Sequence, residues 1–193
     1  METFSRRRRL MFSLTLHNGF RAGETASLKW GTLMAAVDGK SAQVRIPKQS
    51  RNGRKLFRPV TLRPQIVADI KKFYKGQGED TYVFPSKRPI DPSAPVKHIT
   101  VGGMNKILKE EIGRHGIEVK GNCSFHALRR TFATEIYNQL RKGSETEAAM
   151  SELQALYVVK DIMGHRSIEV TRVYVGLKKV EIAGILEKLN FYE

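Results

Sequence analysis

Apolar residues at Leu10, Phe12, Leu14 and Leu16 follow a run of four arginines, Arg6 to Arg9, and predict a first helix over residues 4–16. Asn18-Gly19 offers a stop, because either residue accepts the left-handed conformation that ends many helices. A second, short helix is expected over Ala22 to Trp30, with Leu28 and Trp30 turned inward. From Thr32 to Leu62 the pattern shortens to LMAAV, AQVRI and KLFRPVTL, separated by Asp38-Gly39 and by a basic loop around Asn52-Gly53. Short apolar runs between such turns predict a three-stranded antiparallel sheet. Pro64 suits the first turn of a further helix to Tyr74, which places Ile66, Ile70 and Phe73 near one face.

Pro85, Pro89, Pro92 and Pro95 mark residues 85–97 as an irregular surface segment, since proline cannot donate inside a helix or a central strand. Beyond it the chain reads as helices over Val101 to Gly113, His126 to Leu140, Glu147 to Met163, Ser167 to Tyr174 and Val180 to Leu189. Gly164 is the expected C-cap of one and Ser167 the expected N-cap of the next. Ile168 with Val170 or Val173 would bury the short helix that ends at Tyr174. The fold class expected is mainly α with a small three-stranded antiparallel sheet (α+β), and 193 residues suffice for one domain.

Charge narrows the function classes. The 34 basic and 19 acidic residues leave a formal charge of +15, which favours a polyanionic partner, nucleic acid before an anionic membrane surface. A composition of 40% apolar and 27% charged residues belongs to a folded globular chain. Cys123 is the single cysteine, so an intrachain disulfide and a cysteine-rich zinc site are excluded, in keeping with a reducing cytoplasm. No run reaches the roughly 20 apolar residues that span a bilayer.

Four separated words carry candidate chemistry. HNGFRAGETASLKW sets Arg21 at a helix start with Glu24 one turn on, where the carboxylate can hold the guanidinium; a solvated ion pair would show the same spacing. RIPKQSRNGRK sets Lys48 where a strand enters a hairpin loop with Arg51, Arg54 and Lys55, a basic loop able to meet phosphates or simply a solvated turn. SFHALRRTFATEI puts His126 and Arg129 on one turn of helix, two nitrogen donors suited to a phosphoryl group, or a capping histidine beside a surface arginine. IMGHRSIEVTRVY ties His165, a helix break and a fresh helix start to Tyr174, which could equally be an ordinary half-buried aromatic.

In chain order, Arg21, Lys48, His126 with Arg129, His165 and Tyr174 resemble the active-site signature of the tyrosine recombinase (phage integrase) family, from about residue 5 to about residue 180. The resemblance implies an integrase-like catalytic domain of a DNA breaking and rejoining enzyme. Tyr174 would be the nucleophile that forms a 3′-phosphotyrosyl link, Arg21 and Arg129 the phosphate clamp, and His165 a further hydrogen-bond donor. Lys48 would be the general acid, His126 a base or hydrogen-bond partner of the phenol, and Glu24 the group that orients Arg21. Arg51, Arg54, Lys55, Arg130 and Arg166 would contact DNA. No compact acidic cluster of a two-metal nuclease and no Walker-type loop is present, so neither a metal nor another cofactor is expected.

The partner implied is double-stranded DNA with a specific recombination site, used in integration, excision or resolution of a mobile element. Such enzymes carry an N-terminal core-binding domain; residues 1–193 read as the catalytic domain alone. The segment 177–193, with Val180, Ala183, Leu186 and Leu189 near one helical face, would be exchanged between subunits of a tetramer on DNA, the isolated domain being a monomer. Three rival readings stand beside it: a catalytically silent DNA-binding protein, a type IB topoisomerase-like enzyme, and a generic anion-binding protein.

Overall fold

Helix α1 (Arg6–Asn18) buries Leu10, Met11 and Leu14, and Gly19 ends it at φ +65°. A side chain there would meet the Phe132 ring at 2.5 Å, so the stop also lets a neighbouring helix approach. The computed structural model describes residues 6–39, 41–48, 56–86, 95–119 and 121–176. Among these, α1 is followed by α2 (Ala22–Ala26), α3 (Trp30–Asp38), β1 (Gln43–Lys48), β2 (Leu56–Thr61), α4 (Pro64–Phe73), α5 (Val101–Arg114), α6 (Phe125–Lys142), α7 (Glu152–Met163) and α8 (Ile168–Tyr174).

Among the described residues the sheet has two antiparallel strands, not three, with Val44 opposite Val60 and Ile46 opposite Arg58. The expected first strand, LMAAV, lies in α3. Trp30, Leu33 and Val37 are buried with Ala36, a spacing of three and four that fits a helix face and not the alternation of a strand. The helix expected over Ala22 to Trp30 is also divided. The Trp30 and Gly31 amides donate to the carbonyls of Thr81 and Glu79 at 3.0 and 2.9 Å, so the chain starts a new helix there instead of continuing the old one.

In the second half, Ser124, Ser151 and Ser167 cap α6, α7 and α8 through their hydroxyls, and α7 begins at Glu152, later than the Glu147 expected. The preceding residues turn on Ser144, whose hydroxyl accepts from the amides of Thr146 and Glu147. The proline-rich segment is described at 85–86 and 95–97, where Pro85 bridges His98. Helix α8 buries Thr171, while Val170 and Val173 are 43% and 65% exposed, a correction to the expected apolar face.

Apolar side chains gather into two clusters. One joins α1, α3, the sheet, α4 and α5 around Phe20, Leu33 and Ile70; the other joins α6, α7 and the end of α8 around Phe132, Leu156 and Met163. Helix α6 belongs to both, with Phe125 in the first and Phe132 in the second. Glu111, fully buried, pairs with Arg8 and, at 2.6 Å, with Arg114, which ties α1 to α5. No described helix is long and apolar enough to cross a membrane. The expected helix over Val180 to Leu189 lies outside the described residues.

Candidate active site

The seam between the two clusters is lined by charge. Arg21 stands just ahead of α2, where its own amide donates to Glu24 Oε2 at 2.7 Å and its guanidinium donates to Glu24 Oε1 at 2.8 Å. The same guanidinium reaches across the fold to the Gly164 carbonyl at 3.1 Å. Glu24 Oε2 also accepts from Arg58 at 2.6 Å, and Arg58 in turn donates to the Ile162 carbonyl at 3.2 Å. One carboxylate therefore sits between two guanidiniums, one half-exposed at 46% and the other 2% exposed.

Arg129, on α6, is 2% exposed and donates to the Gly19 carbonyl and, at 2.5 Å, to the Met163 carbonyl. It thus ties the end of α1 to the end of α7 from beneath the open face. Gly164 caps α7 in the left-handed conformation (φ +62°), which turns the chain so that His165 enters the same space. His165 Nδ1 lies 3.0 Å from the buried Thr171 hydroxyl. Tyr174, at the end of α8, places its hydroxyl 3.1 Å from His126 Nδ1, and its ring meets those of His126 and His165 edge-on at 5.1 and 4.7 Å. Arg130 donates to the Tyr174 carbonyl at 3.1 Å, which fixes the backbone that carries the phenol.

The electrostatics follow from burial and crowding. Burial alone would raise the Glu24 carboxyl, but Arg58 and then Arg21 outweigh it and hold it below its ordinary value. Burial, with Arg21 and Arg58 nearby, lowers the Arg129 guanidinium to about 10, still protonated at neutral pH. Burial and the positive charges of Arg129, Arg21 and Arg58 depress His165 to about 4, so it is a neutral imidazole at pH 7. Three guanidiniums against one carboxylate leave a charge of +2 around a neutral histidine and a phenol.

Of the residues singled out in the sequence, Arg21, Glu24, His126, Arg129, His165 and Tyr174 converge here. Arg129 is the most deeply buried of them, at 2% exposure. Arg130 flanks Tyr174, and Arg166 is exposed between α7 and α8. Lys48 closes β1, its backbone paired with Leu56; Arg51, Arg54 and Lys55 lie outside the described residues. No group of three or more His, Cys, Asp or Glu among the described residues is placed to hold a metal ion.

Sequence reasoning missed Arg58 and Thr171. The signal for Arg58 was available: in FRPVTL it occupies the inward position of an alternating strand, two before Val60, where an apolar residue belongs. Thr171 gave no such signal, because a threonine between apolar neighbours on a short helix is ordinary.

A model of the phage integrase family matches residues 1–181. Tyrosine recombinase XerC of Leptospira interrogans is 26% identical over 184 residues, which cover 95% of this chain and 51% of that protein. The chain therefore spans about half the length of the curated relatives it matches. The fold is similar to that of XerA recombinase, with a TM-score of 0.61 at 20% identity over 98% of this chain and 60% of that one. It is also similar to XerH site-specific recombinase bound to difH substrate, with a TM-score of 0.58 at 18% identity over 100% of this chain and 49% of that one. A third likeness is to the Tn1549 transposon integrase in complex with transposon right end DNA, with a TM-score of 0.60 at 14% identity over 95% of this chain and 58% of that one. With the family matched along nearly its whole length, this chain belongs to the phage integrase family.

Proposed function

We propose that this domain breaks and rejoins DNA strands at a specific site through a covalent link to Tyr174. The observation that carries the reading is a phenol in ring contact with His126 and His165, beside three guanidiniums that Glu24 leaves with a net charge of +2 among the described residues. A phosphodiester brings one negative charge, and more develops on its non-bridging oxygens as the phosphorus becomes five-coordinate. Fixed donors in a partly buried site stabilise that charge without reorganising, and each is worth about 3 kcal/mol.

In this mechanism the Tyr174 oxygen attacks the phosphorus and the bond to the 5′-oxygen breaks. The phenolic proton passes to His126, whose Nδ1 is already within hydrogen-bond reach. The leaving 5′-oxygen takes a proton from the Lys48 ammonium. Arg21, half-exposed, meets the phosphate directly, and Arg129 supplies charge and rigidity from below. A neutral His165 donates from Nε2 when its Nδ1 accepts from the Thr171 hydroxyl, a tautomer consistent with their 3.0 Å contact. Rejoining reverses these steps, with a 5′-hydroxyl attacking the phosphotyrosine. The bond energy is conserved in that link, so no nucleotide is consumed.

The partner on this reading is double-stranded DNA carrying a recombination site, met by Arg130, Arg166 and the basic residues Arg51, Arg54 and Lys55. The setting is the cytoplasm of a bacterial, archaeal or phage-infected cell, and the assembled enzyme is a tetramer on DNA. The test is covalent capture: the protein is incubated with a pool of nicked duplexes of random sequence, and adducts that survive detergent are recovered. Adducts that vanish in Tyr174→Phe are expected. Salt-sensitive binding without any adduct would reduce the protein to a DNA-binding regulator, and relaxation of plasmids without sequence preference would favour a topoisomerase.

A further inference from the structure

Arg58 hydrogen-bonds to Glu24 and to the Ile162 carbonyl, neither of them a reacting group, yet it is as deeply buried as Arg129, at 2% exposure. It faces inward from β2 opposite Ile46, on the face that also buries Val44 and Val60. An apolar side chain would fill that position with no desolvation cost, and a buried ion pair is often less stabilising than its apolar replacement. A charge kept there points to a task other than stability.

Its two contacts lead to the two sides of the site. One terminal nitrogen donates to Glu24 Oε2, and Glu24 holds Arg21 through its other oxygen. The other terminal nitrogen donates to the Ile162 carbonyl in the last turn of α7, two residues before the Gly164 cap that delivers His165. The Arg58 stem also fills the space over that cap: a Cβ on Gly164 would lie 2.5 Å from Arg58 Cδ. Strand β2 is thereby joined to α2 and α7 by one planar fork, which a lysine could not reproduce because a single ammonium cannot serve two acceptors in fixed directions.

We infer that Arg58 is a positioning residue: its guanidinium holds the Glu24 carboxylate and the carboxy end of α7 together, and so sets the separation between Arg21 and His165. This rests on the phosphotyrosine reading above. A misplacement of about 1 Å in such a site costs on the order of 10²-fold in rate. The loss should fall on the chemical step, because Arg21 and the surrounding basic surface still bind DNA.

The experiment compares wild type, Arg58→Lys, Arg58→Met and Glu24→Gln with a nicked duplex recovered from the random pool by the wild-type protein. Single-turnover adduct formation is measured at saturating DNA, with the half-saturating DNA concentration and the melting temperature measured in parallel. Arg58→Lys keeps the charge and loses the fork, so it decides the matter if Arg58→Met does not fold. The expected result is a rate lower by about 10²-fold, a half-saturating concentration within about threefold of wild type, and a double variant Glu24→Gln, Arg58→Lys no slower than the slower single one. Titration of His165 by NMR adds a charge control, with Arg58→Met raising its pKa and Arg58→Lys leaving it near the wild-type value.

A wild-type rate per folded molecule in Arg58→Lys, or losses in the two single variants that multiply, would overturn the inference while the wild-type adduct still stands. Absence of any Tyr174-dependent adduct in the wild type would instead overturn the phosphotyrosine reading, and this inference with it.

Discussion

Replacing Glu24 by glutamine removes the one carboxylate that the described site sets among Arg21, Arg58 and Arg129. The side chain is 13% exposed, and its 2.6 Å contact is to a guanidinium 2% exposed, so water screens this pair poorly. Breaking a buried pair by deleting one partner costs about 3–5 kcal/mol, because the surviving charge stays buried. The glutamine carbonyl still accepts one hydrogen bond, and solvent enters from the Arg21 side, so the lower end applies, about 3 kcal/mol. For a domain of this size each kcal/mol is worth about 2–4 °C, which gives a fall in melting temperature of roughly 6–12 °C. The assay is thermal unfolding followed by circular dichroism at low and high salt, with Asp80→Asn as control. Asp80 is 97% exposed and pairs with a half-exposed Lys29, so its loss should leave the melting temperature unchanged. A fall below about 2 °C for Glu24→Gln, or one abolished by high salt, would show that solvent screens the pair and would refute the buried-network argument.

Two further outcomes test the same core. Gly164→Ala forces a Cβ into left-handed backbone and against Arg58, so unfolding by denaturant should show a loss of about 2 kcal/mol or more, whereas Gly23→Ala, with nothing within 4 Å of the added methyl, should be close to neutral. For His165, folding lowers the pKa from 6.5 to about 4, so the unfolded chain takes up the proton first as pH falls. Its influence on stability is absent above the unfolded pKa and becomes unfavourable between pH 6.5 and 4, by about 1–2 kcal/mol once solvent at the partly exposed ring is allowed for. His165→Gln should flatten the stability profile in that window, and an unchanged slope would show that the imidazole titrates normally.

Much of the site was legible because its words are local. An Arg and a Glu three apart at a helix start, a His and an Arg three apart on one helix, and a Gly-His pair at a helix break each fix a neighbourhood before any tertiary contact forms. Gly164 and Ser167 were read as caps because left-handed backbone and an exposed hydroxyl at a first turn are short-range needs, and both act so in the structure. LMAAV is ambiguous in sequence because a five-residue apolar run satisfies both periods; the burial of Trp30 with Leu33 and Val37 makes it helix. Of the apolar face expected for α8, Ile168 packs against the second cluster while Val170 and Val173 stay exposed, and packing against α7 turns Thr171 inward, where it meets His165.

Residue order thus settled the local pairs, Arg21 with Glu24 and the caps at Gly164 and Ser167, since helix caps and one-turn pairs depend on the nearest few residues. Depth and mutual charge were settled by packing. Arg129 reaches a carbonyl 110 positions away and Arg21 one 143 positions away, and no local pattern encodes contacts of that range. The sinking of Arg129 below the surface, the recruitment of Arg58 from a strand, and the depression of His165 all come from low-dielectric surroundings that exist only once the two clusters close on each other.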